Sequence, residues 1–360
     1  MDRKRKILVV DDEMAIREVL SDFLDDMGFE VISASNGLEA LGVLGNEHMD
    51  LVLSDWNMPV MNGLEFTREV MIRYPRPILV ISVSVEPNSP NVFKLLEAGA
   101  VDVFPKTRAI LDSDFDMLAD ELASRIRILA GVHVFRREKS TERAPVSSTI
   151  IPSRLQSTPR FVVIGASTGG PQALREILSH LPSTFPLPVV CVQHIGGGFL
   201  SGMVEWLTDA CKLTVRVACP GEPPIPGMVY FAPEDSHLDL DEGGRFLSSM
   251  APPIDGHCPS ITVTMQAAAR YFGSGAVGVL LTGMGRDGAD GMTSIRAAGG
   301  ITLAQDEASS VVYGMPKKAV EQGAVQHLLS IELIAPALVE LAINGGIPSA
   351  NGNGSPSYGK

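Results

Sequence analysis

The chain has 360 residues, 45% of them hydrophobic, too many for one ordinary domain and well suited to two. It carries 29 Lys and Arg against 42 Asp and Glu, and the acidic excess holds in both residues 1–130 and residues 161–360, which argues against a duplex-DNA binder. No apolar stretch reaches membrane-spanning length, and the four cysteines, Cys191, Cys211, Cys219 and Cys258, show neither a CxxC pair nor zinc spacing, so free and mostly buried thiols in a reducing cytoplasm are expected.

The basic start, Met1 to Lys6, is followed by an apolar run of only Ile7–Val10, ended by Asp11-Asp12-Glu13, too short for an export signal. Strands are predicted at Ile7–Val10, Glu30–Ser33, Leu51–Ser54, Ile78–Ser82 and Val101–Phe104. Amphipathic stretches such as Ala15–Met27 and Asp114–Leu129 lie between and after them. Five β/α units predict a doubly wound parallel sheet over residues 1–130.

In such a sheet, function gathers where strands end at their carboxyl edge. Asp11 and Asp12 lie just past the first strand and Asp55 just past the third; Ser82 ends the fourth, and Lys106 follows the fifth. Three carboxylates make an oxygen-rich site suited to Mg²⁺, and a lysine beside them balances charge on a phosphoryl group. Helix N-capping accounts for Asp12 or Asp55 alone but not for the lysine and serine that join them.

Residues 131–158 are basic and rich in Ser, Thr, Pro and Arg, and are expected to be a flexible linker. Periodic β/α patterning resumes at Phe161, so a second domain is expected over 159–345, with strands at Val189–Gln193, Met228–Ala232, Ala276–Leu281 and Ile301–Ala304. Residues 346–360, "SANGNGSPSYGK" at their end, are expected to be a disordered tail.

The second domain opens on "IGASTGGPQAL", residues 164–174. The middle glycine of a dinucleotide fingerprint is replaced by Ser167, and no lysine follows to make a P-loop. The stretch fits G-x-S-x-G, a turn that presents a serine hydroxyl, although a structural serine in a Gly-rich turn fits equally well on the motif alone. A base and an orienting acid are needed. His48, His133, His180 and His327 sit in helical or linker contexts, whereas His194 ends an apolar strand at the same sheet edge as Ser167; His237 and His257 lie in loops and stay open. For the acid, Asp287 ends a strand in the Gly-flanked turn of "LLTGMGRDGADG", with Asp290 as competitor. The order Ser, His, Asp differs from that of common α/β-hydrolases.

The motifs "ILVVDDE", "SDWNMPVMNGLEF", "ILVIS" and "AGAVDVFPK" resemble a bacterial response-regulator receiver over about residues 5–128. That resemblance implies a phosphoryl-accepting Asp55 served by a histidine kinase, Mg²⁺ held by Asp11, Asp12 and Asp55, and switch contacts from Ser82 and Lys106. Receivers usually place proline directly after this lysine; here Pro105 precedes Lys106 and Thr107 follows. The motifs "IGASTGGP", "YFAPEDSHLDL", "PPIDGHCPS", "LLTGMGRDGADG" and "VVYGMPKKAV" resemble the catalytic domain of chemotaxis protein-glutamate methylesterases, which also carry an N-terminal receiver.

By that resemblance the fold is two doubly wound α/β domains, the five-stranded receiver and a larger Rossmann-like one. Ser167 is the nucleophile, His194 the base and Asp287 its orienter, while Thr168 and Met284 line the site, with the Met284 N–H as an oxyanion donor. The implied activity is hydrolysis of glutamate methyl esters on chemoreceptors in the cytoplasm, with no cofactor for the ester chemistry, no nucleic-acid partner and no membrane insertion. Deamidation of glutamine on the same receptors, and a phosphorylation-gated receptor-binding adaptor, are the alternatives; the complete Ser167, His194 and Asp287 set weighs against the adaptor. Two further segments depart from the family. Its usual "MPPGF" after the histidine is Ile195-Gly196-Gly197-Gly198-Phe199 here, and its "HRPSVD" has Cys258 in place of Arg and Thr262 in place of the acid.

Overall fold

A computed structural model of the chain describes residues 3–82, 92–106, 115–132 and 158–344. Most of the expected linker and the whole of the tail lie outside these residues, as does His133.

The N-terminal unit alternates β1 (Lys6–Val10), α1 (Met14–Asp26), β2 (Glu30–Ala34), α2 (Gly37–Asn46), β3 (Leu51–Asp55), α3 (Gly63–Arg73), β4 (Ile78–Ser82), α4 (Lys94–Ala98), β5 (Asp102–Pro105) and α5 (Phe115–Leu129). The strands form one parallel sheet in the order β2-β1-β3-β4-β5. Central strands such as Leu51–Asp55 and Ile78–Ser82 are buried throughout, which is why they read as unbroken apolar runs and not as alternating ones. Turn chemistry sets the helix starts: Asn36 accepts from the N–H groups of Leu38 and Glu39, and Asn62 from that of Glu65.

The second unit contains β6 (Phe161–Ala166), α6 (Gly170–His180), β7 (Val189–Gln193), α7 (Leu200–Ala210), β8 (Thr214–Val217), β9 (Met228–Phe231), β10 (His237–Leu240), β11 (Phe246–Ser249), α8 (Ile261–Phe272), β12 (Ala276–Leu280), α9 (Ala289–Ala297), β13 (Ile301–Gln305), α10 (Met315–Glu321), β14 (His327–Leu329) and α11 (Ile331–Asn344). Seven strands make a parallel sheet in the order β14-β13-β12-β6-β7-β9-β8, while β10 and β11 form a separate antiparallel hairpin. His327 therefore starts an edge strand instead of lying in a helix or linker, and His237 starts β10, fully buried, instead of lying in a loop. Of the four cysteines only Cys191 is buried; Cys211 and Cys258 are partly exposed and Cys219 is exposed, because the last three fall outside the sheet core. No helix among the described residues is long and apolar enough to cross a membrane.

The two units pack on each other. Trp206 of α7 stacks on Phe93, with ring centroids 5.6 Å apart, and its Nε1–H donates to Glu97 of α4 at 2.9 Å. Gln172 of α6 donates to the carbonyl of Leu96 at 3.1 Å. Val311, Val312 and Met284 join the apolar cluster of Phe104 and Leu122 in the N-terminal unit.

Candidate active site and phosphoacceptor site

In the N-terminal unit, the carboxyl edge gathers the expected residues. Asp11, Asp12 and Asp55 place carboxylate oxygens within 4.8 Å of one another. Asp55 ends β3 itself; its Oδ1 accepts from the Trp56 N–H at 2.7 Å. Lys106 Nζ sits 2.8 Å from Asp55 Oδ2 and 2.8 Å from Asp11 Oδ2. Burial raises the Asp55 pKa against the opposing pull of Lys106. Burial alone would lower that of Lys106, but its two carboxylate partners raise it, so it stays charged. The cluster is a hard-oxygen donor set with one lysine as its cationic partner, and it fits a hard divalent cation. Ser82 ends β4 beside β5, where the Lys106 N–H donates to the Ser82 carbonyl.

In the second unit, Ser167, His194 and Asp287 follow β6, β7 and β12, three neighbouring strands at the point where the order turns back on itself. Parallel pairing carries β6 and β7 in register through Ala166 and Gln193, so Ser167 and His194 come next on each strand. Ser167 is 4% exposed, and its N–H donates to the Thr282 carbonyl at 3.0 Å. The turn closes on Gly169, whose φ of 75° is the left-handed conformation that glycine takes most readily.

His194 Nε2 lies 2.9 Å from Asp287 Oδ2, and its Nδ1 is buried with no hydrogen-bond partner among the described residues. Asp287 is 1% exposed and is held by a ring of donors. Ser260 Oγ, the Thr262 N–H and the Gly288 N–H reach Oδ1 at 2.8, 3.0 and 2.9 Å, and the Ile261 N–H reaches Oδ2 at 2.7 Å. Two of these amides open α8, so the carboxylate also complements that helix terminus. Burial would raise its pKa, but His194 and the Thr262 bonds hold it well below the usual range. The carboxylate therefore stays ionised and fixes the proton of His194 on Nε2, which leaves Nδ1 as the free base.

His257 is the neighbour that sequence pattern does not select. Its ring stacks on that of His194, with centroids 3.8 Å apart and planes 13° apart. The loop is fastened by reciprocal backbone bonds between Ile254 and His257, at 3.1 and 2.9 Å. Burial and the nearby His194 lower the His257 pKa to about 4, so it is neutral near pH 7. His237 has a supporting position: its Nδ1 accepts from the Ser260 N–H at 3.0 Å, and Ser260 Oγ in turn donates to Asp287. Asp290 is ruled out as the orienter by its exposed pairing with Arg286 at 2.9 Å. Thr262 uses the space of the family's acid differently: its Oγ1 accepts the Gly288 N–H at 2.8 Å. Thr168 is buried, and Met284 faces the N-terminal unit, its Sδ 3.4 Å from Ser124 Oγ of α5.

A Ser, His and Asp at the switch point of one parallel sheet, in a chain whose other sheet carries a carboxylate cluster with a lysine, leaves few families. The CheB methylesterase family matches residues 162–338, and the response regulator receiver family matches residues 7–112. A protein-glutamate methylesterase/protein-glutamine glutaminase of Nitrosospira multiformis is 39% identical over 352 residues, covering 94% of this chain and 98% of the relative. The chain belongs to the CheB methylesterase family. A second CheB-family relative, from Anaeromyxobacter dehalogenans, is 41% identical over 343 residues. The crystal structure of the Thermotoga maritima CheB methylesterase catalytic domain aligns with 51% of this chain and 99% of its own, at 39% identity and a TM-score of 0.50. The protein is thus a hydrolase of the CheB methylesterase family with a response-regulator receiver in front of it.

Proposed function

We propose that the protein hydrolyses glutamate methyl esters on the cytoplasmic helices of chemoreceptors, with Ser167 as nucleophile, and that its receiver, residues 1–130, represses the esterase domain, residues 159–345, until Asp55 is phosphorylated. The observation that carries the reading is the buried Nδ1 of His194, which has no partner among the described residues, on the strand end next to that of Ser167, with Nε2 tied to an ionised Asp287. An orphaned buried nitrogen is costly unless it has a task, and accepting the serine proton is such a task.

Ser167 Oγ attacks the ester carbonyl carbon as Nδ1 of His194 takes the hydroxyl proton. The backbone N–H groups of Thr168 and Met284 donate to nothing else among the described residues and are available to the oxyanion, each such donor contributing about 3–4 kcal/mol in well-studied cases. Nδ1 returns its proton to the departing methoxide, and methanol leaves. Water, deprotonated by the same nitrogen, then cleaves the acyl-enzyme to give glutamate and free Ser167. The template serine triad uses the opposite nitrogens, Nδ1 toward Asp and Nε2 toward Ser. The His257 ring covers one face of the base and keeps water from it.

The relatives' names also carry glutaminase activity. A glutamine amide would form the same acyl-enzyme with ammonia as leaving group, and ammonia release from unmodified receptor would show it.

Asp11, Asp12 and Asp55 would hold Mg²⁺, which supplies charge neutralisation for phosphoryl transfer from a chemosensory histidine kinase to Asp55. Lys106 and Ser82 would meet the phosphoryl oxygens. Repression is supported by the receiver's position: the Asp102 carboxylate, held by Arg125 at 3.0 Å, faces the N–H of Gly169 in the turn after Ser167, and Ser124 lies 3.4 Å from Met284 Sδ. The deciding experiment is methanol release from methylated receptor, with and without a small-molecule phosphodonor. Release that phosphodonor stimulates supports the reading, and none under either condition refutes it.

A further inference from the structure

Two of the places where this chain departs from its family touch each other. Pro105 stands before the phosphoryl-contact lysine instead of after it, and Gly196 stands where the family's "MPPGF" has its first proline. A Cβ placed on Gly196 would lie 2.7 Å from Pro105 Cγ and 2.8 Å from Cδ, closer than carbon atoms approach. Gly196 is not a glycine for the sake of its backbone: it is absent from the positive-φ glycines, whereas Gly198 in the same loop has a φ of 84°. What the site requires is empty space, and the ring of Pro105 fills it.

The contact joins the two sites described above. Gly196 is two residues past His194, whose N–H is bonded to the Ala166 carbonyl at 3.0 Å, next to Ser167. Pro105 directly precedes Lys106, whose Nζ touches both Asp55 and Asp11. At the other end of the same strand, Asp102 meets the Gly169 N–H. The four residues of β5 thus reach the loop of the base at one end and the turn of the nucleophile at the other.

We propose that Pro105 and Gly196 form a matched contact by which this receiver recognises its own esterase domain and transmits the state of Asp55 to the loop that carries His194. The partner that the Gly196 surface fits is a receiver with a rigid ring directly before its phosphoryl-contact lysine. A receiver with lysine followed by proline would carry the ring two positions further on and leave this notch unfilled. Lys106 Nζ already touches the Asp55 carboxylate, so a phosphoryl group added there displaces the ammonium, the shift reaches Pro105 through one peptide bond, and the ring leaves the notch. The inference rests on the reading of the chain as a receiver-gated esterase.

The test uses the full chain, with Gly196→Ala, Pro105→Ala and the pair together. Gly197→Ala serves as control, because a Cβ there meets nothing within 4 Å among the described residues. Two quantities are read: hydrogen exchange at the amides of Gly169 and residues 195–199, and resting methanol release. Gly196→Ala is expected to speed exchange at least several-fold and to raise resting release toward the phosphodonor-stimulated rate. Added to Pro105→Ala, it is expected to do less than half as much, because the atoms it strikes are gone. Gly197→Ala is expected to match the wild type in both. Wild-type exchange in Gly196→Ala, or equal effects in the two backgrounds, overturns the contact. If no variant and no wild-type chain releases methanol with phosphodonor, the esterase reading fails, and the exchange data still decide the contact by themselves.

Discussion

Asp287 and His194 are 93 residues apart in the chain and 2.9 Å apart in space, and the carboxylate reaches the ring at Nε2. That choice of nitrogen follows from where the carboxylate is anchored. Asp287 is drawn onto the first amides of α8 by Ile261 and Thr262, and from there it addresses the far nitrogen of the imidazole. Nδ1 is left without a partner among the described residues, as the proposed proton transfer from Ser167 requires.

Removing the nucleophile tests this directly. Ser167→Ala is expected to lower methanol release at least about a thousandfold, with melting temperature and receptor binding unchanged. His194→Gln, which keeps a polar side chain and removes the base, should fall to a similar floor. The double variant should be no worse than either single one, because members of one machine do not add. Single-turnover methanol release on phosphodonor-treated enzyme measures all three.

Thr262 carries a prediction specific to this chain. Its hydroxyl accepts the Gly288 N–H, and its own N–H donates to Asp287. Thr262→Val keeps the shape and the backbone donor but leaves the Gly288 N–H with the Asp287 carboxylate as its remaining acceptor. A loss of about 0.5–1.5 kcal/mol in unfolding free energy is expected. The rate constant at saturating substrate should fall more than KM rises, because Asp287 loses the fixed backbone beside it. Denaturant titration and steady-state kinetics check the two parts.

Much of this arrangement was legible in the sequence, and the reasons for the gaps are physical. Ile78–Ser82 and Val189–Gln193 are found as predicted because central parallel strands are buried on both faces and leave continuous apolar runs. The edge strands Thr214–Val217 and His327–Leu329 have only 4 and 3 residues, too few to show a period. Ser167, His194 and Asp287 follow strands, so pattern could place them. The cradle of Asp287 could not be read, because Ser260 and Ile261 lie more than 25 residues away in the chain and meet it only through tertiary packing. His257 lies in a loop with no period at all, and the signal that could have raised it above His237 is the Asp255-Gly256 turn just before it, where both residues have positive φ.

His257 gives a pH-dependent prediction. It faces His194 and Asp287 of its own domain and Glu121 and Arg125 of the receiver, and its folded pKa is lowered from 6.5 to about 4. The unfolded chain therefore binds a proton on this residue at a higher pH than the folded chain does. Its stabilising contribution is complete above about pH 6.5, declines as pH falls through the window from 6.5 to 4, and does not decline further below that. His257→Phe keeps a stacked ring and removes the titration. The difference in unfolding free energy between wild type and His257→Phe should be flat above pH 7 and should shift against the wild type between pH 6.5 and 4. The phenylalanine variant should also retain most activity, whereas His257→Ala should lose at least about tenfold by wetting and freeing the base.

The last prediction concerns the coupling of the domains. Apart from the Pro105 contact, the receiver covers the esterase rim through Ser124 against Met284 and through Phe104 and Leu122 packed with Val311 and Val312. On the proposed reading, a surface so packed must be uncovered before a receptor helix can reach Ser167, and the resting rate then reports the fraction of chains that are open. Each tenfold excess of closed over open chains corresponds to about 1.4 kcal/mol of docking free energy. On the proposed reading, phosphorylation of Asp55 would add charge beside Asp11 and Asp12 and would change the contact that Lys106 makes with Asp55, which would alter the face that carries β5. A chain of residues 159–345 is therefore expected to release methanol faster than the unphosphorylated full chain, and a catalytic domain of this family has been solved alone in the Thermotoga maritima relative. Phosphodonor with Mg²⁺ should raise the full-chain rate toward that of the isolated domain, and Asp55→Asn should not respond. Initial methanol-release rates for the three proteins decide the matter. An isolated domain slower than the resting full chain would mean that the receiver assembles the site instead of covering it, and occlusion would be the wrong account of this interface.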